Sequence, residues 1–278
     1  MHNDQPTILV RQRHLRRYVG AAIILFILAF LTKAFAEGDI AWSVVWQYLF
    51  APTILQGVLN TIIMTVCATT LAIVLGVLFA TMYVSPNPVL RTSAVFYIWF
   101  FRGTPILLQL LIWFNLALVF PTIGIPGLWE GRTVEIITPF VATLLGLGIN
   151  QGSYTAEIVR AGILSVDNGQ AEAAKAIGMT RSVALRRIIL PQAMRVIIPP
   201  LGNETISMAK LTSIASVIEF AEVVRKAQTI YFANGRILEL LFVAAAWYLV
   251  IVTILSVGQY ALEQKFRKGV AQQAAKAA

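Results

Sequence analysis

Charged side chains are scarce in this sequence. Asp, Glu, Lys and Arg together make up 13% of its 278 residues, whereas an ordinary soluble domain carries about 25%. Residues 40–90 contain no charged side chain, and further uncharged stretches occupy residues 103–129, 136–156 and 240–262. Since about 20 mostly apolar residues suffice to cross the hydrocarbon layer of a membrane, this composition excludes a soluble enzyme and a disordered chain. It predicts an all-α, polytopic membrane protein.

Side chains that serve catalysis, metal binding or nucleotide binding are few as well. The single cysteine, Cys67, can form no disulfide within the chain, and both histidines, His2 and His14, lie in the N-terminal tail. A zinc site or a histidine-based triad within the membrane is therefore disfavoured. No Gly-x-x-x-x-Gly-Lys-Ser/Thr phosphate loop occurs. We expect no catalytic residue, metal or cofactor in this chain, so that any ATP would be bound by a separate subunit.

The apolar stretches predict about six transmembrane helices. The spans are placed at residues 18–35, 57–84, 94–120, 136–151, 196–218 and 237–260. Within the third span, the segment Gly103-Thr104-Pro105 suggests a helix break. Pro199 and Pro200, at the start of the fifth span, predict a kink or a break because proline lacks an amide donor. The second feature is either a bent entry to the helix or unwound backbone that lines a polar passage.

Basic residues are distributed unequally between the two sides of these spans. Fifteen lie in the two tails, in the link around Arg91 and in the loop from Arg160 to Arg195, whereas four lie on the other side. The net charge of +9 is thus attributed to the positive-inside rule rather than to nucleic-acid binding. It predicts a multi-pass protein of the cell (inner) membrane with both termini in the cytoplasm.

The first apolar segment allows two interpretations. Its basic start and the triplet Ala34-Phe35-Ala36 also resemble a secretory signal with its cleavage site. We favour a retained helix; cleavage would place the N-terminus outside and leave five spans in the same orientation.

The largest polar excursion, residues 153–195, lies on the cytoplasmic side and contains two predicted short helices. Residues 170–177 are rich in alanine, Gly178 is suited to end that helix, and Thr180 can cap the next. An apolar stripe follows along the second helix, and Pro191 closes the unit. The pair is either a docking element for a partner or a solvated linker between two spans.

The same loop resembles the signature segment of the membrane subunits of ABC importers. The pattern is Glu-Ala-Ala, three residues, Gly, nine residues and Ile-x-Leu-Pro. This sequence matches it, with every spacing kept, at Glu172, Ala173, Ala174, Gly178, Ile188, Leu190 and Pro191. A wider resemblance, to polar amino-acid permeases of the histidine and glutamine type, covers residues 54–266 and includes the segments 101–105, 150–158 and 210–218.

This resemblance implies a fold, partners and residue roles. The fold would be that of a type I ABC importer permease, with a five-helix core at 54–266, a coupling loop at 165–192, an added helix and outer loop at 18–53, and cytoplasmic tails at 1–17 and 267–278. Two permease subunits, identical or related, would sit above a dimeric ATPase that uses ATP and Mg²⁺. An extracytoplasmic binding protein would deliver the substrate. In the coupling loop, Glu172 would contact the ATPase, Gly178 would form the tight turn, and Leu190-Pro191 would anchor the loop to the fifth span.

Polar side chains within the spans are candidates for the substrate pathway, because a charge inside a membrane is costly. Asn150, Tyr154 and Glu157 are spaced i, i+4, i+7 and share one helix face. Arg102 either binds a substrate carboxylate with its guanidinium, snorkels to the cytoplasmic edge or pairs with an acid. A polar face serves equally well to join two helices. The full set of candidates is Arg102, Gln109, Asn150, Tyr154, Glu157, Glu204, Lys210, Thr212 and Ser213.

Three functions compete for this sequence. The first is the permease subunit of an ATP-driven importer of polar amino acids or related conjugates such as opines. The second is an autonomous ion-coupled amino-acid carrier, in which buried acids would be the coupling sites. The third, an intramembrane enzyme, lacks a recognisable nucleophile and base. The signature loop favours the first, since a carrier needs no docking element.

Overall fold

The computed structural model describes residues 15–125, 127 and 129–277. Most of the predicted N-terminal tail at 1–17 and the last residue of the predicted C-terminal tail at 267–278 lie outside the described residues. The chain divides into two compact units, Met1–Val44 and Val45–Ala278. Each unit is described by itself.

The first unit contains one long helix, α1 (Leu15–Glu37). Its segment from Tyr18 to Glu37 is long and apolar enough to cross a membrane, and the apolar window within it has no buried residue. Lys33 pairs with Glu37, one turn further along, at 3.7 Å. A helix that is apolar on all sides is typical of a membrane span, as the sequence predicted here. Retention of this segment stays a prediction.

The second unit consists mainly of helices of very different length. They are α2 (Trp42–Leu49), which begins at the end of the first unit, α3 (Pro52–Tyr83), α4 (Pro88–Gly103), α5 (Ile106–Phe114), α6 (Thr133–Ile136), α7 (Pro139–Leu164), α8 (Asn168–Ala176), α9 (Arg181–Ala184), α10 (Leu190–Leu211), α11 (Val223–Asn234) and α12 (Ile237–Ala277). A short antiparallel hairpin, β1 (Thr122–Ile125) and β2 (Trp129–Arg132), pairs Thr122 with Arg132.

Length and composition support three or four spans among the described residues. The helical segments Tyr18–Glu37, Pro52–Tyr83 and Ile237–Lys265 each qualify alone, and α4 with α5 forms a fourth if the bent pair is one span. The predicted fourth and fifth spans correspond to α7 and α10, which have 26 and 22 residues and are long enough but more polar. The total of six therefore stays a prediction.

The predicted helix break in the third span is confirmed. Thr104 and Pro105 separate α4 from α5, and the two helices are bent by 100°. The predicted span ends at residue 120, whereas α5 ends at Phe114 and a 3-10 turn follows at Leu116–Leu118.

A break at Pro199 and Pro200 is not found. Both prolines lie inside α10, which is continuous from Leu190 to Leu211. Gln259 of α12 donates from Nε2 to the carbonyl oxygen of Pro199 at 2.8 Å. Both prolines are thus accommodated within a continuous helix, and a side chain of α12 binds a carbonyl group of α10 beside them.

The core of the second unit lies between α3 and α7, where small residues let the backbones approach. Gly76 of α3 faces Thr155 of α7, and Gly148 of α7 faces Leu71 of α3. Such small-residue contacts let membrane helices pack closely in the absence of a hydrophobic driving force. The close-packed helices α3 and α7 form the core of this unit, and α4, α5 and α10 pack against α7.

Candidate functional site

A polar cavity opens where α4 breaks from α5. Its volume is about 350 Å³. The break supplies one wall, α7 the opposite wall, and α10 one apolar side chain. The lining residues are Arg102, Gly103, Thr104, Pro105, Ile106, Asn150, Gln151, Tyr154 and Leu211. Three of the predicted pathway candidates, Arg102, Asn150 and Tyr154, therefore meet at one cavity.

Two buried side-chain amides bind oxygen atoms at the break between α4 and α5. Gln109 lies with its Nε2 3.0 Å from the Phe101 carbonyl oxygen and 2.6 Å from Thr104 Oγ1. Asn150 donates from Nδ2 to the same Phe101 oxygen at 2.7 Å and to Gln109 Oε1 at 3.2 Å. Helix ends leave carbonyl groups without intrahelical partners, and these amides satisfy them. Gln109 supports the cavity from behind, whereas Asn150 both supports and lines it.

Charged residues cluster beside the cavity on α4 and α7. Arg102 Nη1 lies 3.5 Å from Glu157 Oε1, and the Arg102 guanidinium carbon lies 5.0 Å from the centre of the Tyr154 ring. Glu157 also pairs closely with Arg160, one turn further along α7. Of the three alternatives that the sequence left for Arg102, the structure shows the pairing with an acid.

Glu204, Lys210 and Ser213 lie near the cavity but do not line it. Glu204 on α10 accepts a hydrogen bond from Gln151, which is a lining residue. Lys210 has an exposed side chain, and its carbonyl oxygen accepts a hydrogen bond from Ser213 at 2.8 Å. The structure thus connects Glu204 to the cavity through one amide and leaves Lys210 and Ser213 at its margin.

Thr212 does not line the cavity. It is fully buried, and its hydroxyl is 3.3 Å from Tyr248 of α12. Tyr248 donates to Glu222 Oε2 at 2.7 Å, and the Glu222 carboxylate accepts from the Val224 and Arg225 amides at the start of α11. Sequence reasoning missed this network. The local signal was the acid Glu222 directly before the first residue of α11, a position that is typical of a helix N-cap.

The loop between α7 and α10 begins with the short helix that its sequence predicts. α8 covers Asn168–Ala176, Asp167 caps its start, and Gly178 follows with φ +78°. The Met179 amide donates to the Ala174 oxygen and the Gly178 amide to the Lys175 oxygen, both at 3.0 Å. This pair of bonds is the Schellman ending, which favours glycine at the left-handed position.

The second part of the loop differs from its prediction. Pro191 does not close the unit, because α9 continues through a π-helical turn, Leu185–Ile189, into α10. Ile188, Leu190 and Pro191 therefore belong to one helical stretch that runs from the loop into the predicted fifth span. Glu172, Ala173 and Gly178 are exposed, whereas Ala174 is buried. The signature residues thus lie on α8, at the exposed turn after it and on the helical stretch that enters α10.

A helical membrane unit with a polar cavity at a broken helix and an exposed helical loop defines a membrane-transport subunit. The chain belongs to the family described as the binding-protein-dependent transport system inner membrane component, which matches residues 72–268. The resemblance inferred from the signature loop is confirmed.

Individual relatives agree with this family. The arginine transport system permease protein ArgU of Corynebacterium glutamicum is 44% identical over 92% of this chain and 82% of its own length. The L-cystine transport system permease protein TcyB of Bacillus subtilis is 44% identical over 62% of this chain and 68% of its own. The glutamine transport system permease protein GlnP of Escherichia coli is 38% identical over 63% and 74%, respectively.

Solved structures share the fold. A crystal structure of an amino acid ABC transporter with histidines is 37% identical, with a TM-score of 0.68 over 78% of this chain and 95% of that chain. A bacterial ABC transporter for the acidic polysaccharide alginate reaches 0.64 over 90% of this chain and 95% of that chain at 14% identity, and this likeness concerns the fold alone. The protein is therefore a permease subunit of an amino-acid ABC importer with the type I fold, and the ion-coupled carrier finds no support.

Proposed function

We propose that this chain forms the translocation pathway for polar amino acids in an importer driven by ATP. A dimeric ATPase hydrolyses ATP with Mg²⁺ on the cytoplasmic side, an extracytoplasmic binding protein delivers the substrate, and a second permease subunit, identical or related, completes the pathway. Residues 54–266 form the permease core with the coupling loop at 165–192, and residues 18–53 are an addition to it. The excess of basic residues supports cytoplasmic termini.

The cavity at the α4–α5 break carries this proposal. Its volume of about 350 Å³ lies at the lower end of the range of about 300–1,000 Å³ for small-molecule sites. Arg102 presents a guanidinium, whose planar fork matches a carboxylate. Asn150, Gln151 and Thr104 add uncharged polar groups along the wall. The relatives named for arginine, cystine and glutamine have substrates that share an α-carboxylate and an α-ammonium group, which is the chemistry that Arg102 would read.

The cytoplasmic loop supplies the coupling step. The exposed turn around Gly178 is available to a partner, and Glu172 offers a carboxylate for a polar or ionic contact with it. Since α9, the π-helical turn and α10 form one helical stretch, a movement of the loop is passed directly to the helix that carries Leu211 of the cavity and Glu204. Closure of the ATPase would in this way change the cavity.

Purification from native membranes tests the assembly. A C-terminal tag on the full chain, mild detergent and mass spectrometry should recover an ATPase in stoichiometric amount, often with a binding protein. The recovered complex, reconstituted in liposomes with that binding protein and ATP, should take up a polar L-amino acid, and Arg102→Gln should lower uptake at least about tenfold, since a charge-assisted bond is worth about 1.5–3 kcal/mol. A chain that purifies alone in several detergents would contradict the proposal.

A further inference from the structure

One carboxylate beside the cavity is shared by two arginines. Glu157 faces Arg102 through Oε1 and Arg160 through Oε2. The next acid, Glu204, is engaged by the Gln151 amide. Glu204 acts on Arg102 only through its charge, so the one carboxylate in direct contact with Arg102, at the edge of the cavity, is the shared Glu157.

The two arginines hold Glu157 unequally. Arg160 is on the same helix one turn away, makes the closer contact, and lies with its guanidinium carbon 5.0 Å from the centre of the Tyr83 ring. Arg102 contacts Glu157 through Nη1 alone, at 3.5 Å, which is the outer limit of a hydrogen bond. A guanidinium has five N–H donors in a rigid fork. Most of the donor capacity of Arg102 therefore remains for a ligand, and its bond to Glu157 is the weaker one.

We infer that Glu157 stands in for the substrate's α-carboxylate on Arg102 in the empty cavity and is displaced by it, while Arg160 retains Glu157. This inference rests on the proposed function, because it takes the cavity as the substrate site. An ion pair that loses one partner leaves a poorly compensated charge. Here Arg160 keeps Glu157 paired, so the exchange on Arg102 replaces one carboxylate with another. Ligands without an α-carboxylate cannot take part in this exchange. Glu157 therefore contributes to the specificity of the cavity for α-amino acids.

Binding to the membrane complex, without the binding protein, tests this exchange. The assembled permease and ATPase in nanodiscs is titrated with L-arginine and L-glutamine, and with agmatine and 4-aminobutanamide, the corresponding amines that lack the α-carboxylate. Glu157→Gln should tighten binding of the amino acid by up to about fivefold, as expected for a partly exposed ion pair, and should leave binding of the amine unchanged. Arg160→Gln releases Glu157 toward Arg102 and should weaken amino-acid binding by a similar factor.

The double variant separates this role from a structural one. Glu157→Gln combined with Arg160→Gln should bind the amino acid as tightly as Glu157→Gln alone, because the competitor is gone, and Arg160→Lys should bind as the native complex does. The matched control is the exposed i, i+3 pair Arg132 and Glu135, whose substitution by glutamine should change nothing. Gel filtration and thermal unfolding check that each variant assembles.

Three other results would overturn the inference or the proposed function. If Glu157→Gln weakens binding of amino acid and amine alike, Glu157 binds the ammonium group, and the inference is wrong. If native binding is lost in Arg102→Gln but unchanged in both Glu157→Gln and Arg160→Gln, the inference fails while the proposed function stands. If the native complex contains no ATPase and takes up no polar L-amino acid, the proposed function itself fails.

Discussion

Tyr248 of α12 donates its hydroxyl to the carboxylate of Glu222 at 2.7 Å, and this bond ties α12 to the start of α11. Glu222 is fully buried and also accepts hydrogen bonds from two backbone amides of α11. Burial raises the pKa of Glu222 to about 7, although these hydrogen bonds act in the opposite direction. A carboxyl in the segment between α10 and α11 thus changes its charge near neutral pH.

Stability should therefore depend on pH through Glu222. The folded protein holds this proton up to pH about 7, whereas the unfolded chain releases it near 4.5. The stabilising contribution is complete below pH 4.5 and is lost as the pH rises through 7. It should amount to about 3 kcal/mol at most, because each pH unit of such a difference is worth about 1.4 kcal/mol.

Native protein and Glu222→Gln in detergent are melted between pH 4.5 and 7.5, and their Tm difference should change with pH. Glu219→Gln, at an exposed position, serves as the control. Parallel Tm curves for native protein and Glu222→Gln would show that Glu222 does not titrate in this range.

Gly178 should be essential for coupling rather than for folding alone. Its φ of +78° costs a residue with a side chain about 1–2 kcal/mol, while no atom lies within 4 Å of the position of a Cβ. Gly178→Val should distort the exposed turn, leave the complex able to hydrolyse ATP and reduce uptake per ATP severalfold. Gly235→Val is the matched control, because Gly235 has φ +72° and equally open surroundings at the end of α11. Equal loss of coupling in both variants, or normal coupling in Gly178→Val, would remove Gly178 from the proposed contact with the ATPase.

Local chemistry explains which elements the sequence predicts and which it does not. The ending of α8 at Gly178 and the break at Thr104-Pro105 depend on neighbouring residues, so they are readable from the chain alone. The hydrogen bond of Asn150 to Phe101 joins residues 49 positions apart, and that of Gln259 to Pro199 joins residues 60 apart. Contacts of this kind bring Asn150 to the break, join α12 to α10 and place Thr212 beside Tyr248. Hydrophobic periodicity and helix propensity are local properties, so they do not reveal contacts between distant residues.

The small residues between α3 and α7 should tolerate no added side chain. A Cβ at Gly76 would overlap Thr155 and lie 3.0 Å from its carbonyl carbon, so that backbone must move. Gly76→Ala should lower stability by about 1–3 kcal/mol, which is typical of overpacking. Gly258→Ala on α12 is the control, because a Cβ there meets no atom within 4 Å and alanine favours the helix. Thermal unfolding in detergent should show a lower Tm for the first variant and an equal or higher Tm for the second. Equal Tm values would mean that α3 and α7 are less closely packed than described.

The two amides behind the cavity should act as one unit. Asn150→Leu removes the donor that binds the Phe101 oxygen and Gln109 Oε1, and Gln109→Leu removes the donor that binds Thr104 and Phe101. Each single change leaves a buried group unsatisfied, which costs about 1–3 kcal/mol. The loss in the double variant should differ from the sum of the two single losses, because both single variants lose the bond between the amides and each keeps one donor on the Phe101 oxygen. Asn115→Leu, at an exposed position, should cost much less. The Tm values of all four variants in detergent measure this coupling, and strict additivity would show that Asn150 and Gln109 support the break independently.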